Sequence, residues 1–499
     1  MQNEKKSCII AMHHFGQQDK FPPPDIFVYL KNLSEEKMQR ENLKSRLGFI
    51  LISAGCAIGV GNVWKFPYIA GQNGGGWFVL IYLICLVAVG VPVMTMEFAM
   101  GRASRKSPAK LYDPLEPKGS KWHIHSFFAV AGNYLLMMFY TTVAGWMLYY
   151  FFHTATGKFE GLDSSAVQSE FGNMLSDPLS MTIFMSIVVL LGSLVCGFGV
   201  QKGLERVTKY MMIALLAIMV VLAVNSIFTD GGVEGLKFYL VPDADNITNV
   251  GEGNFAKGLG KVIVSALNQS FFSLSLGIGA MAIFGSYIGK ERALLGESIN
   301  VAVLDTFVAI TSGLIIFPAC FAYGVEPTSG PGLIFRTLPN IFNNMPLGRL
   351  WGSLFFIFMS FAALSTIFAV FEVIIASMMD WFGWSRKKTC IVNGIVIFIL
   401  SLPCVFGFNI LSVIAPFGEG TTVLDLEGFL VENLLLPIGS LIFIIFCTSR
   451  YGWGWKKFIE EANEGKGLKI AKWMRGYMTF VLPVIVIILF GISMYNYFV

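Results

Sequence analysis

Charge is what this 499-residue chain has least of: Asp, Glu, Lys and Arg make up 14% of it, against 55% hydrophobic residues. A water-facing surface needs about 25% charge, so a soluble enzyme and a nucleic-acid binder are both excluded. Cysteine spacing is missing too. The eight cysteines lie mostly inside apolar runs with no CxxC, which reads as small apolar packing residues rather than a disulfide or metal framework. The five histidines form no HExxH, and His123 and His125 alternate at a membrane edge without a ligand set. No Ser/His or paired-Asp constellation falls in the apolar runs, which argues against an intramembrane enzyme. Nor is any loop long enough for a folded soluble domain, so function must sit among the apolar segments.

What is present is length without charge. Leu80 to Met94, Ile391 to Phe406 and Met478 to Val499 are nearly charge-free, and mean hydropathy is +0.65. A helix needs about 20 apolar residues to cross a bilayer. Eleven segments approach or exceed that: 45–70, 75–101, 123–153, 179–198, 204–228, 257–284, 296–324, 347–380, 387–407, 423–449 and 477–498. Long unalternating runs in lipid must be helices, so the expected fold is an all-α polytopic membrane protein with eleven transmembrane helices. The net charge of +4 is small, but its placement orients the chain. Arg102, Arg105, Lys106, Lys110, Lys118 and Lys121 follow the second span, and later even-numbered connections are basic as well; the opposite connections are sparse. By the positive-inside rule the N-terminus is expected in the cytoplasm and the C-terminus outside, in a cell inner membrane. Residues 1–37 are polar, contain Pro22-Pro23-Pro24 and lack a signal-peptide h-region. They read as a disordered or non-native extension, with Met38 an alternative start.

Two spans carry polar, glycine-rich interruptions. The first has Gly55-Cys56-Ala57-Ile58-Gly59-Val60-Gly61-Asn62, and the sixth Ser273-Leu274-Ser275-Leu276-Gly277-Ile278-Gly279. Glycine costs about 1 kcal/mol per helix position relative to alanine, so both places can unwind. Each opens a group of five spans, and paired breaks in corresponding positions point to an inverted-repeat transporter with its site at the midplane. The competing reading is that the glycines let helices pack closely. Unwound carbonyls are hard ligands suited to a cation such as sodium, and exposed amides at a helix N-terminus suit a carboxylate. Asn62, Ser273, Ser365 and Thr366 add neutral oxygens. Asp305 adds a carboxylate that at membrane depth calls for a cation, unless it carries a proton or sits at a helix end. Tyr140 and Phe272 are aromatics able to close over a bound molecule, or plain packing.

The runs Arg46-Leu47-Gly48-Phe49, Gly59-Val60-Gly61-Asn62-Val63-Trp64-Lys65-Phe66-Pro67 and Asn73-Gly74-Gly75-Gly76 resemble the neurotransmitter:sodium symporter family. The likeness continues through Phe139-Tyr140, Gln269-Ser270-Phe271-Phe272-Ser273, Gly330-Pro331-Gly332-Leu333 and Phe361-Ala362-Ala363-Leu364-Ser365-Thr366. It runs from about residue 38 to the end and is closest to the bacterial eleven-span branch. The resemblance implies sodium-coupled amino-acid uptake by alternating access in a five-plus-five inverted repeat with helices 1 and 6 unwound. The repeats would be 38–230 and 231–450, with 451–499 a cytoplasmic loop and last helix. One sodium would sit between the Ala57 carbonyl, Asn62, Ser273, Asp305 and the substrate carboxylate. The other would be held by the carbonyls of Gly55, Ile58 and Ala362 and the hydroxyls of Ser365 and Thr366. Substrate would lie against Ala57, Gly61, Tyr140, Phe272, Ser273, Ser275, Ile278, Thr366 and Val370.

Amine-carrying members have aspartate where this chain has Gly59, so an amino acid that brings its own carboxylate is expected. The apolar set Ile278, Ala363, Phe368 and Val370 favours a neutral, hydrophobic or aromatic one. Arg40 and Asp380, with Ser286 and Tyr287 nearby, match the inner gate. Lys65 stands where the outer gate has arginine, and its acidic partner position reads as Gly428, with Asp425 and Glu427 near. Leu43 replaces a tryptophan, and Ile213 a helix-breaking proline. Asp305 and Ala309 replace chloride-site residues of animal members, so chloride is expected not to be required. A monomer or weak dimer is expected, and no nucleic-acid partner. The alternatives are a sodium- or proton-coupled carrier of another small solute on the same fold, or an amino-acid sensor that has lost transport.

Overall fold

The computed structural model describes residues 43, 45–228, 231–322 and 332–498. The expectations for Arg40, for the 1–37 extension and Met38 start, and for Gly330-Pro331 lie outside the described residues. Within them the protein is all-helical: there is no strand, and one isolated bridge joins Arg292 and Lys466.

In chain order the helices that form the bundle are α1 (Arg46–Ala57), α2 (Gly61–Gln72), α3 (Gly76–Ser104), α4 (Ile124–Ala155), α5 (Pro178–Gly197) and α6 (Val200–Ile227). There follow α7 (Phe255–Ser273) and α8 (Ala280–Gly285), then α9 (Leu294–Ala322), α10 (Gly348–Phe382), α11 (Arg386–Phe406), α12 (Val423–Thr448) and α13 (Met474–Tyr495). Among the described residues nine helices are long and apolar enough to cross a membrane, or ten when the bent pair α1–α2 is taken as one span. The remaining expected span, 257–284, is the pair α7 and α8, separated by a stretch without helix.

Burial sorts the helices into centre and rim. The most apolar stretch of α10 is 83% buried and that of α3 72%, whereas α5 and α13 reach 33% and 28%. The rim helices turn Leu190, Leu194, Ile487 and Ile488 outward, as a lipid-facing surface requires. Lipid provides no hydrophobic force between helices, so small residues that admit close backbone contact hold such bundles. A Cβ on Gly101 of α3 would lie 2.7 Å from the Ala282 carbonyl carbon of α8, and one on Gly285 of α8 would lie 2.8 Å from the Phe98 Cα. The two helices therefore meet backbone to backbone.

Two connections are partly helical: Ser164–Ser176 lies between α4 and α5, and Gly232–Leu240 and Ala244–Val250 lie between α6 and α7. At the end of α3, Arg102 is fully buried. Its Nε donates to Glu461 Oε1 (2.6 Å) and its Nη1 to the Arg292 carbonyl (2.7 Å), and Nη2 reaches the Glu461 carbonyl. α6 continues through Ile213 without interruption, as expected where no proline removes an amide donor.

Candidate functional site

α1 ends at Ala57 because Ile58 leaves helical geometry (φ −71°, ψ 101°), and the chain resumes helix at Gly61 with a 58° bend. A helix end leaves its last carbonyls without intrahelical donors, and here side chains of α10 come to them. Thr366 Oγ1 lies 3.4 Å from the Gly55 carbonyl and 3.2 Å from those of Cys56 and Ile58. Ser365 Oγ lies 3.2 Å from the Ile58 carbonyl and 2.9 Å from that of Ala362. A hard cation with oxygens at about 2.3–2.6 Å needs ligand oxygens about 3.3–3.7 Å apart. Gly55, Ile58, Ala362, Ser365 and Thr366 are thus brought together at nearly that spacing. In the structure the hydroxyls donate to the carbonyls, and a cation would require them to rotate away.

A second cluster surrounds Asp305 of α9, which is fully buried. Ser273 Oγ donates to Asp305 Oδ2 (2.6 Å), Asn62 Nδ2 to Oδ1 (2.8 Å) and Tyr82 Oη to Oδ2 (3.4 Å). All these donors are neutral. Asn62 turns its amide nitrogen to the carboxylate, while its oxygen accepts from the Gly59 N–H (3.3 Å). Holding a cation through Asn62 Oδ1 therefore requires the amide to turn over.

Between the clusters lies a small cavity of about 20 Å³, lined by Ala57, Gly59, Gly61, Asn62, Leu136, Tyr140, Phe272, Ser275, Ile278, Thr366, Val431 and Leu436. Ser273 is turned to Asp305 instead. Val370, Ala363 and Phe368 are buried in α10 outside this lining; Leu136, Val431 and Leu436 stand in it although the sequence reading did not single them out. Tyr140 Oη accepts from the Val60 N–H (2.6 Å). A Cβ on Gly61 would lie 2.5 Å from Phe272 Cε1, and one on Gly59 would lie 2.6 Å from Thr366 Oγ1, so neither position admits a side chain without movement.

The break between α7 and α8 is built differently. Ser275 (φ 51°), Gly277 (φ 98°) and Gly279 (φ 73°) are left-handed. The Gly277 amide donates to Glu97 Oε1 (2.6 Å), a fully buried carboxylate of α3. Ile278 gives its carbonyl to Asn133 Nδ2 (2.9 Å). Gln269 Nε2 donates to the Gly61 carbonyl (3.2 Å) and ties the two breaks together. Glu97 was readable in principle, since a lone ionisable residue inside an apolar run is a functional candidate.

Next to the cavity opens a wider vestibule of about 330 Å³. Gly61, Tyr140 and Phe272 line both compartments. Here Lys65 forms an ion pair with Glu432 of α12, and its Nζ stands 4.2 Å from the centre of the Phe272 ring. The acid that meets Lys65 is thus Glu432, four residues beyond Gly428, at which the sequence has no carboxylate. At the opposite end of the bundle, Asp380 Oδ2 accepts from the Ser107 amide (2.8 Å) and hydroxyl (2.6 Å). Ser286 gives its carbonyl to Arg105 Nη1 (3.0 Å), and Tyr287 takes the Leu43 N–H on its carbonyl (3.3 Å). The Tyr287 hydroxyl donates to Glu372 (2.7 Å), which also forms an ion pair with Arg386; neither Glu372 nor Arg386 figured in the expected gate.

The sodium:neurotransmitter symporter family model matches residues 40–170 and 165–499. An uncharacterized sodium-dependent transporter of Bacillus subtilis is 33% identical over 448 residues, covering 89% of this chain and 96% of its own length. The human sodium- and chloride-dependent taurine transporter is 25% identical over 507 residues, 92% of this chain and 79% of its own. Among solved structures, MhsT in complex with L-phenylalanine matches with a TM-score of 0.81 at 34% identity, over 91% of this chain and 99% of that one. A broken-helix bundle enclosing a cavity between two oxygen clusters is thereby a sodium-dependent membrane transporter. The chain belongs to the sodium:neurotransmitter symporter family.

Proposed function

We propose that this protein is a symporter that couples inward sodium movement to uptake of a neutral, hydrophobic amino acid, aromatic or large aliphatic, by alternating access. The observation that carries the reading is the pair of oxygen clusters at the α1 break, one of neutral carbonyls and hydroxyls and one containing the buried Asp305. Burying a carboxylate among neutral donors costs several kcal/mol unless a cation joins it, and sodium meets that need. In this reading the first sodium takes the Ala57 carbonyl, Asn62, Ser273, Asp305 and the substrate carboxylate. The second takes Gly55, Ile58, Ala362, Ser365 and Thr366. Contact between the first ion and the substrate makes each site incomplete without the other, which is the physical basis of coupling.

The substrate carboxylate is assigned to the N-terminus of α2, where the helix dipole and the Gly61 amide favour an anion, beside the Tyr140 hydroxyl. The largely apolar lining and the match to a phenylalanine-bound relative support a hydrophobic side chain. Asp305 supplies a fixed negative charge and Ala309 no hydroxyl, so transport is proposed to need no chloride. Lys65 and Glu432 form the outer gate; Arg40, Ser286, Tyr287 and Asp380 belong to the inner one. The helices α1 to α6 and α7 to α12 are proposed as inverted repeats in an inner membrane, with a cytoplasmic N-terminus.

The test is uptake of labelled phenylalanine and leucine into proteoliposomes under an inward sodium gradient, against potassium. Accumulation that collapses without sodium is expected. Sodium-dependent binding without uptake would replace transport by sensing, and neither uptake nor binding would turn the reading to another solute.

A further inference from the structure

The cavity wall contributed by α12 depends on an irregularity in that helix. Its first turns, Val423–Phe429, are α-helical, Leu430–Leu435 form a π-turn, and α-helix resumes at Leu436. Residues five apart on an α-helix point about 140° away from each other, so Val431 and Leu436 would face different neighbours. The π-turn changes that: the Leu436 N–H bonds the Val431 carbonyl, an i→i+5 link that brings such residues onto one side. Both line the cavity. Such single-turn π-bulges are frequent at functional sites.

The wall is also fixed in place. A Cβ on Gly277 would lie 2.9 Å from the Leu436 carbonyl carbon, and one on Gly439 would lie 2.7 Å from that of Gly277. Backbone thus rests on backbone where α12 crosses the α7–α8 break, and Leu436 cannot retreat. Glu432, next to Val431 in the same π-turn, holds Lys65 over Phe272. A side chain that pushes Val431 outward therefore also strains the closure of the vestibule floor.

We propose that Val431 and Leu436 of the α12 π-turn, with Leu136 and Ile278 beside them in the lining, set the size of the amino-acid side chain this carrier accepts. The inference rests on the symporter reading above. It is tested by competing alanine, leucine, phenylalanine and tryptophan against labelled substrate in sodium-driven proteoliposome uptake, in wild type, Val431→Phe, Val431→Leu and Leu436→Ala. The readout is the ratio of half-inhibiting concentrations within one preparation, so the fraction of folded protein cancels. Val431→Phe is expected to weaken phenylalanine relative to alanine by about tenfold or more, with Val431→Leu intermediate, and Leu436→Ala to favour tryptophan by a similar factor. Ratios unchanged within about twofold in all variants that retain uptake would overturn the proposal alone, as would a shift produced by Val370→Ala and by none of these. A wild type without sodium-driven uptake or binding of any hydrophobic amino acid would overturn the symporter reading itself, and this inference with it.

Discussion

The two helix breaks use glycine for different reasons. Around Ile58 none of the described residues is left-handed; Gly59 and Gly61 are there because Thr366 and Phe272 occupy the space a Cβ would need. In the second break a conformational need is added to the spatial one, with Gly277 and Gly279 at φ 98° and 73° beside Leu436 and Pro108. Their chemical offers differ as well. The first break presents carbonyls to Ser365 and Thr366, while the second has its Gly277 amide taken by Glu97. On the proposed reading the first is the part that meets ions, while the second shapes the cavity floor with its Gly277 amide and Ile278 carbonyl already bonded. Similar glycine-rich sequences at corresponding places do not imply similar work.

The comparison breaks most visibly at the ligands. Asn62→Ala and Thr366→Ala are expected to reduce sodium-dependent substrate binding at least about 100-fold, since even outer-shell partners of a metal cost 10–100-fold; sodium titration of labelled amino-acid binding measures it. Gly61→Ala and Gly277→Ala separate the two uses of glycine. Gly61→Ala should abolish binding with a small change in Tm. Gly277→Ala should lower Tm, through left-handed strain of about 1–2 kcal/mol and the clash with Leu436. Glu97→Ala leaves the Gly277 amide buried and unbonded, a loss of about 1–3 kcal/mol, with Glu97→Gln milder; detergent thermal melts decide the order. Asp305→Asn is expected to weaken sodium coupling or create a chloride requirement, read as uptake in chloride against gluconate, and equal uptake in both at wild-type sodium dependence would contradict the assigned role. Glu432→Gln should matter least. Its pair with Lys65 is partly exposed, at 23% and 30%, and such pairs contribute little, so a two- to threefold change in uptake, shrinking at high salt, is expected.

The sequence made the helices legible because lipid leaves so few alternatives: the expected 179–198 is Pro178–Gly197, and 387–407 is Arg386–Phe406. It made the carbonyl cluster legible because each member sits in a distinctive run. It did not reveal which helix face meets which. Val370 follows Thr366 by about one turn, yet the cavity is closed by Val431 and Leu436, whose shared direction exists only through a π-turn that no propensity announces. Glu432 was hidden by counting to a single position, for it lies four residues beyond Gly428. Glu97 and Glu372 were visible as charges in apolar runs, but their roles depend on the Gly277 amide, 180 residues further on, and on Arg386, across the turn between α10 and α11.

Arg102 has a consequence for how the molecule is made. Its guanidinium has left water completely, and its carboxylate partner, Glu461, comes 359 residues later. At a synthesis rate of about 5–20 residues per second, the delay between them is on the order of 20–70 s. Through that time α3 must wait at the bilayer edge with an unpaired arginine. Assembly therefore closes late, with the segment after α12 acting as a latch. A chain truncated before Glu461 is expected to insert its first ten spans yet be degraded in a pulse-chase experiment, and supplying the missing C-terminal piece in trans should restore its lifetime.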